Sequence, residues 1–425
     1  MIAWLLISFF ILLFLGVPIA MSLGLSAIGG ILFLGGGSTV TIAQRMFEGM
    51  NSFALLAIPL YTFAGFTMSK GGISKRLMDF CYSIVGHIYG GLAHVNVLSS
   101  MIFAGISGSA VADTAGVSGM FMPEMVRKGY SKNFTVAVTA ISSTIGIIIP
   151  PSIPMVVIAG ICGISTGKLF LGGIIPGILC GLAQMIVSYF MAKKEGVPKE
   201  PGHFTIGPVL HGLWESWPAL LMPIIIVGTI TMGIVSPTEA GVIAVVYGLF
   251  AGGIIYRELK WEDIKFAFAE TVRTSGRIFI VIGAAKLYTV MLTTAGFDKW
   301  VAKTMLGFST NPTVILVMIL LIFFIVTMFM ESIATLTLFM PILYPIALGV
   351  GIDPIVLSVL ITVVIGVGLV TPPVGMCIYV ACDLMDVTVG EVFPTLVPFI
   401  AATFVCIVLM VAFPQLILLP TYLMA

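Results

Sequence analysis

Long apolar runs with almost no charge fill this sequence from end to end, and they decide the solvent in which it can fold. Of its 425 residues, 59% are hydrophobic and 9% charged. A soluble domain carries about 25% charged residues. A chain this poor in polar groups cannot present a surface to water, so its solvent is lipid. In hydrocarbon each backbone N–H and C=O needs a partner within the protein, so the runs must be helices. At about 20 residues per span, the length accommodates about ten to twelve crossings.

The runs have recognisable boundaries. Residues 1–18 and 22–36 are two short spans around the bend Gly16-Val17-Pro18, and 53–69 is a third. The first 20 residues have no basic n-region and no small-residue cleavage site, so they read as a permanent span rather than a leader. Residues 92–126 form an apolar segment broken near Ser107-Gly108-Ser109, and 134–162 one broken at Pro150-Pro151. Residues 169–192 close the first half. The most polar stretch, 193–216, contains Pro198, Lys199, Pro201 and Gly202 and reads as a linker. Spans at 217–234 and 238–256 follow, bent at Ser236-Pro237. A polar segment from Arg257 to Arg277 is expected to lie at the interface, ahead of a span at 278–296. Two more broken segments, 312–350 (at Met330-Glu331-Ser332) and 355–383 (at Thr371-Pro372-Pro373), precede a last span at 395–419.

Basic clusters orient these elements. Lys70, Lys75 and Arg76, then Arg127, Lys128 and Lys132, flank the segment 92–126. With both flanks cytoplasmic, that segment cannot cross. It enters and turns back as a re-entrant hairpin. Continuing the count, 312–350 is a second hairpin entering from the opposite side, and both termini are periplasmic. The halves correspond: Pro150 stands as far from Pro372 as Ser109 stands from Glu331. One broken helix alone would be an ordinary kink. Four breaks paired at one offset predict two inverted-topology repeats, residues 1–192 and 217–425, the architecture of secondary transporters. The fold class is thus an all-α polytopic membrane protein with about ten transmembrane helices and two re-entrant hairpins. Helix ends freed at the breaks suit ions, with carbonyls for cations and N–H groups for anions. Four breaks meeting near mid-membrane predict two cation sites around one anion site.

At these same residues the chain resembles the large, DctM-like membrane subunit of TRAP (tripartite ATP-independent periplasmic) transporters. The resemblance rests on Leu56-Ala57-Ile58-Pro59-Leu60, Gly90-Gly91-Leu92-Ala93, Ser107-Gly108-Ser109-Ala110 and Lys128-Gly129-Tyr130. It continues through Ile149-Pro150-Pro151-Ser152, Lys168-Leu169-Phe170, Gly173-Ile174-Ile175-Pro176-Gly177 and Thr371-Pro372-Pro373-Val374-Gly375, in order over essentially the whole chain. Glu331 departs from the aspartate expected at the second tip. The resemblance implies an elevator-type sodium symporter in the bacterial inner membrane, with a moving transport domain and a fixed scaffold. It also implies two partners, a small four-helix membrane subunit (Q type) and a periplasmic substrate-binding protein (P type). The cargo it implies is an organic acid such as a C4-dicarboxylate, sialic acid or another sugar or keto acid.

With this resemblance, one sodium site is expected between Ser107 and Ser109 on the first tip and Gly146, Ile149 and Pro150 on the facing broken helix. The second lies between Glu331 and Ser332 and the group Gly368, Thr371 and Met376. Ser109, Ser332 and Thr371 are the candidate contacts to a substrate carboxylate, against helix N-termini near Ala110 and Ser332. Asp113 is a further candidate, because an ionisable group at membrane depth is a functional residue by default. Against this, Ser107 and Ser109 could merely cap a helix, and Asp113 could be a buried acid paired locally. Arg45, Asn51 and Arg277 are other polar candidates.

Other chemistries lack support. A net charge of +1 gives no electrostatic case for nucleic acid. The six cysteines lie singly and the four histidines are scattered, so no metal-ligand spacing arises. Gly163-Ile164-Ser165-Thr166-Gly167-Lys168 is one residue short of a P-loop, with no Ser or Thr after the lysine. Gly105-Ile106-Ser107-Gly108-Ser109 is not a nucleophile elbow, and no histidine is placed to serve it. An enzyme is therefore the last reading. A stand-alone sodium/anion symporter or exchanger of the same inverted-repeat type, and an ion channel using the hairpins as a pore, are the alternatives within transport.

Overall fold

The computed structural model describes residues 1–35, 38–197 and 204–424, and those residues form helices with no strand. The linker residues Pro198, Lys199, Pro201 and Gly202 lie outside them. The chain opens with α1 (Ile2–Phe14) and α2 (Ile19–Leu34), then α3 (Val40–Met50) and α4 (Ala57–Lys70), the last preceded by a 3-10 turn, Phe53–Leu56. α5 (Ile73–Val85) follows. The first hairpin is α6 (Gly91–Ser107) and α7 (Ala110–Arg127). The first broken helix is α8 (Lys132–Ser143), the turn Thr144–Ile147 and α9 (Ile153–Cys162), followed by the long α10 (Thr166–Lys194). The second half runs α11 (Ile206–Thr231), α12 (Pro237–Phe250), α13 (Trp261–Thr294) and α14 (Phe297–Phe308). Its hairpin is α15 (Pro312–Thr327) and α16 (Ser332–Gly349), and its broken helix is α17 (Pro354–Gly368) and α18 (Met376–Met385). α19 (Val389–Ala412) and the short α20 (Gln415–Leu418) end the described chain.

Both hairpins and both broken helices thus fall where the sequence interrupts its apolar runs. Among the described residues, seven helical segments are long and apolar enough to cross a membrane, including α10, α11, α13 and α19. The arms at the breaks are shorter. At 1.5 Å per residue, the 10 residues of α9 or α18 reach about 15 Å, half of a bilayer core. Neither is long enough to cross on its own.

Two boundaries differ from expectation. The interfacial segment Arg257–Arg277 and the span 278–296 are one helix, α13, 34 residues long. No proline interrupts residues 261–294, and Ala267, Thr271 and Ser275 are buried. Phe266 and Phe268 meet Phe66 and Phe63 of α4 edge to face. Tertiary packing therefore continues the helix through a polar sequence. Likewise α11 begins at Ile206, inside the polar stretch 193–216. Gly212 lies flush on Phe80 of α5, and the Ser216 hydroxyl donates to the Arg76 carbonyl at 2.9 Å. Three amphipathic helices, α3, α5 and α14, were not anticipated. They are too polar on one face for an apolar-run search.

The helices pack in two groups. In one, α4 lies against α12 and α13, α13 against α2 and α3, and α11 against α5 and α12. The Tyr61 hydroxyl donates to the Pro237 carbonyl (2.8 Å), and Tyr288 to that of Leu5 (2.8 Å). In the other, the hairpins interlock with the broken helices: α18 packs on α7 and α8, and α9 on α16. Thr144, at the first break, sits against Gly366 of α17. A buried polar ladder ties the first hairpin to the first broken helix. Asn96 donates to Thr139 (2.7 Å), Ser142 donates to Asn96 (3.1 Å), and Ser100 donates to Ser142 (3.1 Å). Each of these four buried side chains thereby has a partner.

Candidate ion and substrate site

The first tip is built by glycine and two serines. α6 ends at Ser107, and Gly108 turns the chain with φ +66°. A side chain there would strike the Pro151 carbonyl, so the turn admits no other residue in place. Ser109 caps α7, accepting from Ala112 N–H at 3.4 Å. The Gly108 carbonyl accepts from Ile153 N–H at 3.2 Å. The hairpin tip is therefore bonded to the facing break.

That break shows where cation ligands arise. Pro150 and Pro151 have no N–H, so the carbonyls of Gly146 and Ile147 lose their helical donors. Ile147 recovers one from the Ser152 hydroxyl (2.5 Å), which also caps α9 by accepting from Met155 N–H (3.3 Å). Gly146 lies beside Asp113. The Asp113 side chain is fully buried, and its Oδ1 accepts from the Ser107 hydroxyl. Its Oδ2 has no partner among the described residues and faces Gly146 so closely that a Cβ there would overlap it. Asp113, one turn into α7, thus touches both the Ser107 hydroxyl of the tip and Gly146 of the break. Ile149 differs: its side chain fills the space over Gly177 of α10, and Gly173 abuts the Ile148 carbonyl. The Pro150 carbonyl faces Gly105 on α6.

The second half is arranged alike but is more self-contained. The Met328 carbonyl, at the tip, accepts from Val374 N–H at 2.9 Å, and Gly368 backs onto Thr327. The Gly368 carbonyl accepts from Thr371 N–H (3.1 Å), and that of Leu369 from Cys377 N–H (2.9 Å). The Thr371 hydroxyl donates back to Val367 (2.7 Å). Glu331 caps α16: one carboxylate oxygen accepts from Ile333 and Ala334 N–H (3.0 and 3.3 Å), the other from the Ser332 hydroxyl (2.8 Å). Met376 opens α18 after Gly375. Ser332 and Thr371 are buried and Ser109 half-buried, and no hydrogen bond joins the three among the described residues. What brings their elements together is the crossed packing of α7 with α18 and of α9 with α16.

Sequence reasoning missed one residue. Lys286 stands in the apolar second half of α13. A single charge inside the run 278–296 was the available signal. It lines a cavity of about 190 Å³ between α3, α9, α13 and α16. Arg45 pairs with Glu48 at 2.7 Å on α3, whereas Asn51 and Arg277 are exposed.

Comparison with known proteins then places the chain. The family described as the tripartite ATP-independent periplasmic transporter, DctM component, matches residues 6–416. The isethionate TRAP transporter permease protein DctMQ of Oleidesulfovibrio alaskensis is 37% identical over 92% of this chain. The chain spans 62% of that protein's length. The sialic acid TRAP transporter large permease protein SiaM of Vibrio cholerae is 35% identical over 96% of this chain and 95% of its own. The C4-dicarboxylate TRAP transporter large permease protein DctM of Pseudomonas aeruginosa is 35% identical over 95% of this chain and 94% of its own. Among solved structures, the YdaH transporter of Alcanivorax borkumensis superimposes with a TM-score of 0.59 over 89% of this chain and 88% of that one. At 13% identity, that likeness concerns the fold alone.

Proposed function

The chain belongs to the family of DctM components of tripartite ATP-independent periplasmic transporters, and from that premise we propose that it takes up an organic acid across the inner membrane by sodium symport. The observation that carries the coupling is the cluster of Ser107, Asp113 and Gly146. A buried carboxylate with one open oxygen, beside a carbonyl that proline has stripped of its donor, is a hard-oxygen site suited to a small cation. Ser109 and the carbonyls of Ile149 and Pro150 flank it. Glu331, Ser332, Gly368, Thr371 and Met376 form the second site, which binds its ion only after some of its internal bonds open.

The organic acid binds between the two tips, with its carboxylate on the N-termini of α7 and α16 and on Ser109, Ser332 and Thr371. The two halves are inverted repeats, residues 1–192 and 217–425, both termini are periplasmic, and the interlocked hairpin group moves against the long helices as an elevator. The cargo is an acid of the kind named for the relatives: isethionate, sialic acid or a C4-dicarboxylate. A small membrane subunit completes the scaffold, and a periplasmic protein delivers substrate.

The test is uptake of labelled organic acids into proteoliposomes holding the chain and its small subunit, with the sodium gradient and the binding protein supplied or withheld. Uptake that needs both supports the reading. Uptake that needs neither overturns it in favour of a stand-alone exchanger or channel.

A further inference from the structure

The cavity between the two helix groups holds a cation that the tip site does not use. Its walls are Glu48 and Gly49 of α3, Ser52 and Leu55 beyond it, Val157 to Ile161 of α9, Ile282 and Lys286 of α13, and Thr337 and Pro341 of α16. Gly49 lies flush on the Lys286 stem, so the lysine has no room to lean toward α3. Among the described residues no hydrogen bond or ion pair reaches its ammonium group. The nearest acid, Glu48, is engaged by Arg45 at 2.7 Å. Glu48 is held below the usual carboxylate range, first by the Arg45 hydrogen bond and then by the charge of Lys286. With Arg45, Glu48 and Lys286 charged, the cavity mouth carries one net positive charge. An unpaired lysine within a membrane helix is costly and persists where it faces a wet cavity and a ligand.

We propose that Lys286, with the Ser52 hydroxyl, forms a carboxylate- or sulfonate-binding subsite for a small organic anion; Thr337, whose hydroxyl donates to the Ile333 carbonyl at 2.8 Å, only lines its wall. The subsite lies apart from the hairpin tips. Thr337 is five residues beyond Ser332 on α16, about 7 Å along the helix. Val157 is five residues beyond the Ser152 cap on α9. The cavity thus adjoins the second arms of the first broken helix and the second hairpin. Its volume, about 190 Å³, equals that of about six liquid waters at about 30 Å³ each. That leaves room for a small acid or for the anionic end of a larger one. On the topology proposed above, Lys286 sits in the periplasmic half, about 12 Å below the end of α13. An anion released from the periplasm would meet it before the tips.

This inference rests on the organic-acid reading, and the experiment separates the two. The reconstituted complex is assayed with succinate, isethionate and sialic acid. For the acid that wild type carries, Lys286→Gln should raise KM about tenfold with kcat changed less than about threefold, as expected when binding is lost uniformly. Lys286→Arg should stay near wild type. Glu48→Gln should lower KM, since it removes the competing negative charge. Unchanged KM in Lys286→Gln overturns the subsite and leaves the transport reading standing. So does equal damage in Lys286→Arg and Lys286→Gln with a fall in melting temperature, which assigns the lysine to packing. If Glu48→Gln and Lys286→Gln impair uptake equally and the double variant is no worse, the pair is an internal ion pair. If wild type carries none of the three acids, both readings fall.

Discussion

At the scale of single residues, Asp113 concentrates the chemistry. Its Oδ2 is buried without a partner, which costs the fold unless a cation compensates it. In Asp113→Asn the buried charge is gone, and an amide can still accept from Ser107. The sodium-free protein should therefore melt higher than wild type, and the rise in melting temperature on adding sodium should vanish. A sodium-dependent rise that persists unchanged in the variant would remove Asp113 from the ion site. Gly146→Ala places a methyl group where Oδ2 now lies. Overpacking of this kind costs about 1–3 kcal/mol, and the sodium concentration for half-maximal uptake should increase. Both positions were in view from the sequence, Asp113 as an acid in an apolar run and Gly146 one turn before a Pro-Pro break. Their contact was not, because Asp113 is on α7 and Gly146 on the far side of a connecting helix.

At the scale of elements, the breaks are held open by what surrounds them. The stretch Gly173-Ile174-Ile175-Pro176-Gly177, which carried part of the family resemblance, lines α10 with a glycine face. Gly173 abuts the Ile148 carbonyl, and Gly177 receives the Ile149 side chain. Small residues let backbones approach in a membrane where no hydrophobic effect drives helices together. Gly173→Ala should displace the first break and abolish coupled uptake while the protein still inserts, which a limited-proteolysis and uptake comparison would reveal. Glu331 holds the start of the second hairpin's return arm. Its carboxylate is occupied as the cap of α16, so Glu331→Ala should cost about 0.5–2 kcal/mol, read as a lower melting temperature. Glu331→Asp keeps a good cap and should retain uptake. If the two substitutions lower the melting temperature equally, capping is not what the residue contributes. The amphipathic α3, α5 and α14 escaped sequence reading because a search for apolar runs sees only helices apolar on every side.

At the scale of the whole molecule, the interlock of hairpins with broken helices couples the two halves. α9 follows the first break yet packs on the second hairpin, and α18 follows the second break yet packs on the first. On the sodium sites proposed above, an ion that tightens one tip would pull on both. Cooperative sodium activation of uptake, with a Hill coefficient above one, is the expected outcome in proteoliposomes. A hyperbolic dependence would show that the sites act singly. The long helices carry large exposed apolar side chains such as Phe33, Trp214 and Ile224, which suits a surface facing lipid or another membrane subunit.

The sequence by itself determined the solvent, the helical class, the positions of the four breaks and the family. Each of these is written in local composition: apolar runs, proline pairs, glycine turns and basic flanks act through the residues beside them. Only the tertiary structure decided that α13 continues through a polar stretch, that Asp113 meets Gly146, and that Lys286 lines a cavity. Those outcomes depend on which distant helix supplies the opposing wall, and a one-dimensional pattern carries no record of that choice.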